Sequence, residues 1–63
     1  MPIRVRDAIK LIEQHGWILV RQRGIHRQYH HPTKRGTVTI AGKESLELDP
    51  KTERSIRVQA GLP

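Results

Sequence analysis

Trp17-Ile18-Leu19-Val20-Arg21-Gln22-Arg23-Gly24-Ile25-His26-Arg27-Gln28-Tyr29-His30-His31-Pro32 is the stretch from which the fold of this 63-residue chain is read. Its first six residues are aromatic and β-branched at the start and poor in helix formers, which predicts a strand over 17–22. Arg23-Gly24 supplies a turn. Residues 25–31 then predict a second strand, with His26, Gln28 and His30 on one face and Arg27, Tyr29 and His31 on the other, because side chains alternate along a strand. Pro32 ends it, having no N–H to give to a ladder.

On the N-terminal side, Val5, Ala8, Ile9 and Ile12 recur at i, i+3, i+4 and i+7, the spacing of one helix face, so a helix is predicted near residues 4–15. Gly16 stops it as the residue beyond the C-cap, and His15 caps its last turn. On the C-terminal side, residues 32–36 form a turn, and Thr37-Val38-Thr39-Ile40 predicts a third strand with Val38 and Ile40 inward. Asp49-Pro50 opens a second helix over 50–60, with Asp49 as N-cap, Pro50 at the first helical position and Glu53 near the positive end of the dipole. Gly61 and Pro63 stop it. This helix is predicted from its caps, because Ile56 and Ala60 share a face while Val58 points away and Glu53 and Arg57 interrupt. The expected architecture is α+β: a single domain over residues 1–63 in the order α-β-β-β-α, with two helices on one face of a three-stranded antiparallel sheet.

Composition limits what such a domain does. Twelve Lys and Arg against six Asp and Glu leave a net charge of +6, which favours an anionic partner. All of that excess lies in residues 1–35, where eight basic side chains face two acids, while residues 36–63 sum to zero. The absence of cysteine excludes thiol catalysis and thiolate metal sites. The longest apolar run, Trp17 to Val20, is far too short for a membrane span or a signal-peptide core, so a cytoplasmic protein with no membrane role is expected. A core this small leaves only about 3–5 kcal/mol of net stability, and a partner protein would add burial.

The basic half centres on Arg21, Arg23 and Arg27 around Gly24 and His26. Guanidinium forks beside exposed turn amides suit phosphate oxygens, and an imidazole there is placed to take the proton of a ribose 2′-hydroxyl while cations hold the charge that develops on phosphorus. A solvated hairpin with an ordinary surface histidine is the plainer alternative. His26 and His30 on one strand lie about 13 Å apart at 3.3 Å per residue, too far to share a zinc ion, so no metal is expected. Trp17 and Tyr29, the only aromatics, are expected in the core, with the Tyr29 hydroxyl near the surface. Glu44, Glu47 and Asp49 read as solvated loop carboxylates.

These residues bring a family into view. The helix leading to Gly16-Trp17, the run Arg21 to Tyr29 with its Gly-x-His-x-x-Tyr core, His31-Pro32, Val38-Thr39-Ile40, and the closing Arg54-Ser55-Ile56 with Gln59-Ala60-Gly61-Leu62 together resemble the HicA toxins, small mRNA interferases of HicAB toxin–antitoxin systems. The resemblance spans nearly the whole chain. It implies a double-stranded-RNA-binding-domain-like fold, mRNA as substrate, His26 as the essential catalytic histidine presented by Gly24, no cofactor, and a HicB-like antitoxin as partner. The resulting candidate site has His26 as general acid or base, Arg21, Arg23 and Arg27 on phosphate, Lys34 and Arg35 as outer RNA contacts, and Tyr29 and Lys43 in support. Ile25 stands where the family usually has serine, Ala41-Gly42-Lys43 where a second histidine often follows the third strand, and Glu53 and Arg57 where its second helix is usually apolar. The alternatives are a non-catalytic RNA-binding module of the same fold, or an inactive HicA relative kept for partner binding. The start of the second helix, Asp49-Pro50-Lys51-Thr52-Glu53, lacks the lysine cluster such a binding module uses there.

Overall fold

The computed structural model describes residues 3–63. The chain folds as α1 (Val5–Gln14), β1 (Ile18–Arg23), β2 (His26–His30), β3 (Val38–Ala41) and α2 (Pro50–Gln59). The strands form one antiparallel sheet in the order β1-β2-β3, as the pattern predicts. None of the described helices is long and apolar enough to cross a membrane.

α1 starts where the Asp7 carboxylate accepts the Arg4 backbone N–H at 2.8 Å, the acidic half of a capping box. Both helices end in the same way. At α1, the Trp17 amide donates to the Ile12 carbonyl (3.1 Å) and Gly16 to Glu13 (3.1 Å); at α2, Leu62 donates to Arg57 (2.8 Å) and Gly61 to Val58 (3.1 Å). These paired bonds are Schellman motifs, which satisfy the last carbonyls of a helix and require a left-handed residue after the C-cap. The α1 closure displaces the predicted start of the first strand by one residue, because the Trp17 amide is committed to the helix. α2 begins as predicted, with the Thr52 N–H donating to Asp49 Oδ1 at 2.7 Å. Glu53 and Arg57, which interrupt its apolar face, pair with each other at 3.2 Å one turn apart.

Sheet register decides the faces. In β1 and β2, Ile18 pairs with His30, Leu19 with Tyr29, Arg21 with Gln28, Gln22 with Arg27 and Arg23 with His26, and a bulge falls between Leu19 and Arg21. In β2 and β3, His26 pairs with Ala41, Arg27 with Ile40, Gln28 with Thr39 and Tyr29 with Val38. One face therefore presents Tyr29, Val38 and Ile40 to the helices, where they join Val5, Ala8, Ile12, Trp17, Leu48, Ile56 and Ala60 in the core. The other face carries Ile18, Arg21, Arg23, His26, Gln28 and His30, and all of it is exposed. One sheet and one helical layer make a slab about 17 Å in its thinnest direction.

His31 lies just outside β2 and ties the ends of several elements together. Its Nδ1 accepts the backbone N–H groups of Thr33 and Lys34, each at 3.1 Å. An acceptor Nδ1 leaves the proton on Nε2, and Nε2 donates to the His15 carbonyl at 2.9 Å. The ring meets Trp17 edge-on at a centroid distance of 5.2 Å. His15 caps α1 as predicted, Nδ1 lying 2.9 Å from the Leu11 carbonyl. Two of the four histidines of the basic half are thus structural.

Candidate functional site

The site is built on the β1–β2 hairpin. Gly24 and Ile25 form a two-residue turn in which Gly24 alone has positive φ, +59°. That is the pattern of a type II′ turn, whose twist matches the strands it joins and which places glycine first. The turn puts His26 at the first position of the central strand, directly opposite Arg23. Two residues further along each strand on the same face, Gln28 lies opposite Arg21. Arg21, Arg23, His26 and Gln28 line one shallow cavity of about 250 Å³ on the open face of the sheet. On the far side His26 is paired with Ala41, whose methyl leaves that flank of the imidazole open.

Gln28 is missing from the sequence-derived set. The signal for it was present, since strand alternation places Gln28 with His26. What the sequence lacks is the register that brings Arg21 opposite it.

Three predicted site residues lie elsewhere. Arg27 alternates to the helix-facing side, where Nη1 donates to the Gly42 carbonyl at 2.9 Å and, more weakly, to that of Ile25 at 3.5 Å. The Gly42 amide in turn donates to the Ile25 carbonyl at 3.1 Å. Arg27 is therefore a clamp on the protein's own backbone, holding the turn before His26 to the segment after β3. Lys34 donates from Nζ to the Ala60 carbonyl at 3.2 Å, a cation placed at the negative end of the α2 dipole. In this position it caps the end of α2. Tyr29 is 1% exposed, so its ring packs beneath β2 in the core. Burial, with Glu13 next in size, pushes its hydroxyl above the usual range and keeps it protonated.

Arg35 is exposed, but it follows the far end of β2, about 13 Å of strand away from His26. Lys43 is exposed close to the His26 end. It borders a second, apolar depression with Ile25, Gly42, Ser45, Leu46 and Glu47. Among the described residues, no three His, Asp or Glu side chains converge as a metal-binding group would require.

Chemically, the cavity offers two guanidinium groups, an imidazole and a carboxamide on rigid strands, and no hydroxyl or thiol nucleophile. Such a set has the chemistry to hold a phosphodiester and to move a proton.

The family model described as the HicA toxin of bacterial toxin–antitoxin systems matches residues 5–62. Among solved structures, the chain is similar to one from a toxin–antitoxin complex of Streptococcus pneumoniae, with 39% sequence identity and a TM-score of 0.77 over 97% of this chain and 100% of that one. No curated protein sequence matches it.

Proposed function

The chain belongs to the HicA toxin family of bacterial toxin–antitoxin systems, and from that premise we propose that it is an endoribonuclease acting on mRNA in the cytoplasm, held in check by a HicB-like antitoxin. The observation that carries this reading is the placement of His26 beside Arg23 and Arg21 on an open, cationic sheet face.

In the reaction, the two guanidinium groups hold the non-bridging oxygens of one phosphodiester. His26 takes the proton of the adjacent ribose 2′-hydroxyl, and the 2′-oxygen bonds to phosphorus as the bond to the 5′-oxygen breaks. The departing 5′-oxygen takes its proton from solvent, and the upstream product ends in a 2′,3′-cyclic phosphate. Arg21 and Arg23 stabilise the charge that develops on phosphorus, the electrostatic contribution that weighs most where a site's dipoles and charges are already in place. Gln28 donates from its carboxamide to the same oxygens. The substrate supplies its own nucleophile, in keeping with a site that holds no hydroxyl or thiol.

The purified chain is expected to cut single-stranded RNA in the presence of EDTA. His26→Ala should lower the rate by about 10²–10⁴, the usual contribution of general acid–base catalysis, while RNA binding is retained. Cleavage at an unchanged rate by His26→Ala would remove His26 from the mechanism. Tight RNA binding without cleavage by the unaltered chain would favour the binding-module alternative.

A further inference from the structure

β1 is an edge of the sheet, and none of the described residues pairs with its outer side. β3, the other edge, is four residues long, and its Thr39 amide is occupied by Gln59 Oε1 at 3.1 Å. β1 is six residues long, all of them exposed, and among the described residues none of the backbone hydrogen bonds made outside the helices and the sheet reaches Ile18–Arg23. Its first half presents three consecutive large apolar side chains, Ile18, Leu19 and Val20, exposed at 58%, 42% and 51%. Leu19 points to the helix-facing side and is still uncovered, so β1 overhangs the helical layer. Edge strands are commonly protected by lysine, proline or a covering segment. Apart from one bulge, the apolar half of β1 has none of these.

We propose that Ile18–Arg23 is a strand-addition site for an extended segment of the antitoxin, apolar opposite Ile18 to Val20 and acidic opposite Arg21 and Arg23. An added strand satisfies the free backbone groups of β1 and takes its specificity from alternate side chains. Arg21 and Arg23 are two residues apart on the open face, so the matching feature is a pair of acids at the same spacing, Glu-x-Glu. A second copy of this chain fits poorly, because pairing would bring together two molecules of net charge +6. The acids of the added strand would lie against the cationic wall of the His26 cavity, so the segment that binds the edge also displaces the phosphate. Only the ownership of the strand rests on the antitoxin partnership proposed above; the edge and its chemistry do not.

The test uses the full chain and blocked synthetic peptides. ETEVIV pairs antiparallel with β1, VIVETE pairs parallel, and KTKVIV reverses the charge. Amide exchange of Ile18–Arg23, followed by NMR, is expected to slow with one of the two acidic peptides. KTKVIV should bind at least tenfold more weakly. Leu19→Lys, whose new side chain points away from the cavity, should weaken peptide binding at least tenfold and still cut RNA; Ile18→Lys is a second edge-blocking variant for the binding measurement. The site is overturned if neither acidic peptide slows exchange in β1, if KTKVIV binds as well, or if β1 is protected by self-association or by RNA alone. A chain that binds the acidic peptide without cutting RNA upholds the site and fails the proposed activity. A chain that cuts RNA with β1 unprotected does the reverse.

Discussion

Two arginines four residues apart in the sequence have opposite fates. Arg23 stands opposite His26 on the open face, whereas Arg27 lies beneath the sheet and donates to Gly42 and Ile25 carbonyls. They are expected to fail differently when truncated. Arg23→Ala should raise KM for RNA and reduce the slope of log affinity against log salt by about 0.7, the change when one phosphate of a single strand is no longer neutralised, with little effect on folding. Arg27→Ala should leave that slope unchanged and lower stability by about 1.5–3 kcal/mol, the range for hydrogen bonds to charged groups, measured by urea denaturation. A salt slope lowered by Arg27→Ala would return that residue to the RNA-binding set. The alternation of β2 already separated Arg27 from His26 in the sequence; the carbonyls that receive Arg27 come from a loop whose course no local pattern specifies.

At the scale of elements, turns and caps were the most legible features, because each depends on one or two residues and their immediate neighbours. Asp49-Pro50 starts α2 where predicted, and Gly16 and Gly24 sit at the left-handed positions that end α1 and turn the hairpin. The two glycines differ in surroundings. A Cβ at Gly24 meets nothing within 4 Å, whereas at Gly16 it would fall 2.8 Å from His31 Nε2. Gly24→Ala should therefore cost about 1–2 kcal/mol from backbone strain alone. Gly16→Ala should cost measurably more in the same denaturation experiment, since it also displaces His31 from the His15 carbonyl. Equal losses at the two positions would show that His31 yields freely. Asp49 gives a pH dependence. The Thr52 backbone N–H, then the Thr52 side chain, hold its carboxyl below the ordinary value of 3.8. A group whose pKa is lower folded than unfolded stabilises above its unfolded pKa and loses that contribution as pH falls through its folded one. Thermal melts should show α2 weakening as pH drops below about 3.8, and this acid-sensitive component should be absent in Asp49→Asn.

For the whole molecule, smallness is the governing fact. Trp17 and Tyr29 are the largest core side chains, 2% and 1% exposed, in a chain without phenylalanine. Trp17 closes α1 through its amide and meets His31 with its ring. Trp→Ala changes cost about 3–5 kcal/mol, comparable to the net stability of roughly 3–5 kcal/mol expected for one core of this size. Trp17→Ala should accordingly be largely unfolded on its own at about 25 °C by circular dichroism; a cooperative melt above about 50 °C, within the range of ordinary stable domains, would contradict that expectation. The sequence by itself determined the order of elements, the caps, the inward residues of β2 and β3, and His26 as the residue presented by the hairpin, because periodicity and turn chemistry act over a few neighbouring residues. It also supplied the family resemblance that the family match then established. Only the tertiary structure decided which cations are free to act. It joined Arg21, Arg23 and Gln28 to His26 through cross-strand register, committed Arg27, Lys34 and His31 to backbone groups distant in sequence, and left β1 as an uncovered edge. These outcomes follow from long-range pairing and from the limited area two short helices can cover, and neither is encoded in any local stretch of the chain.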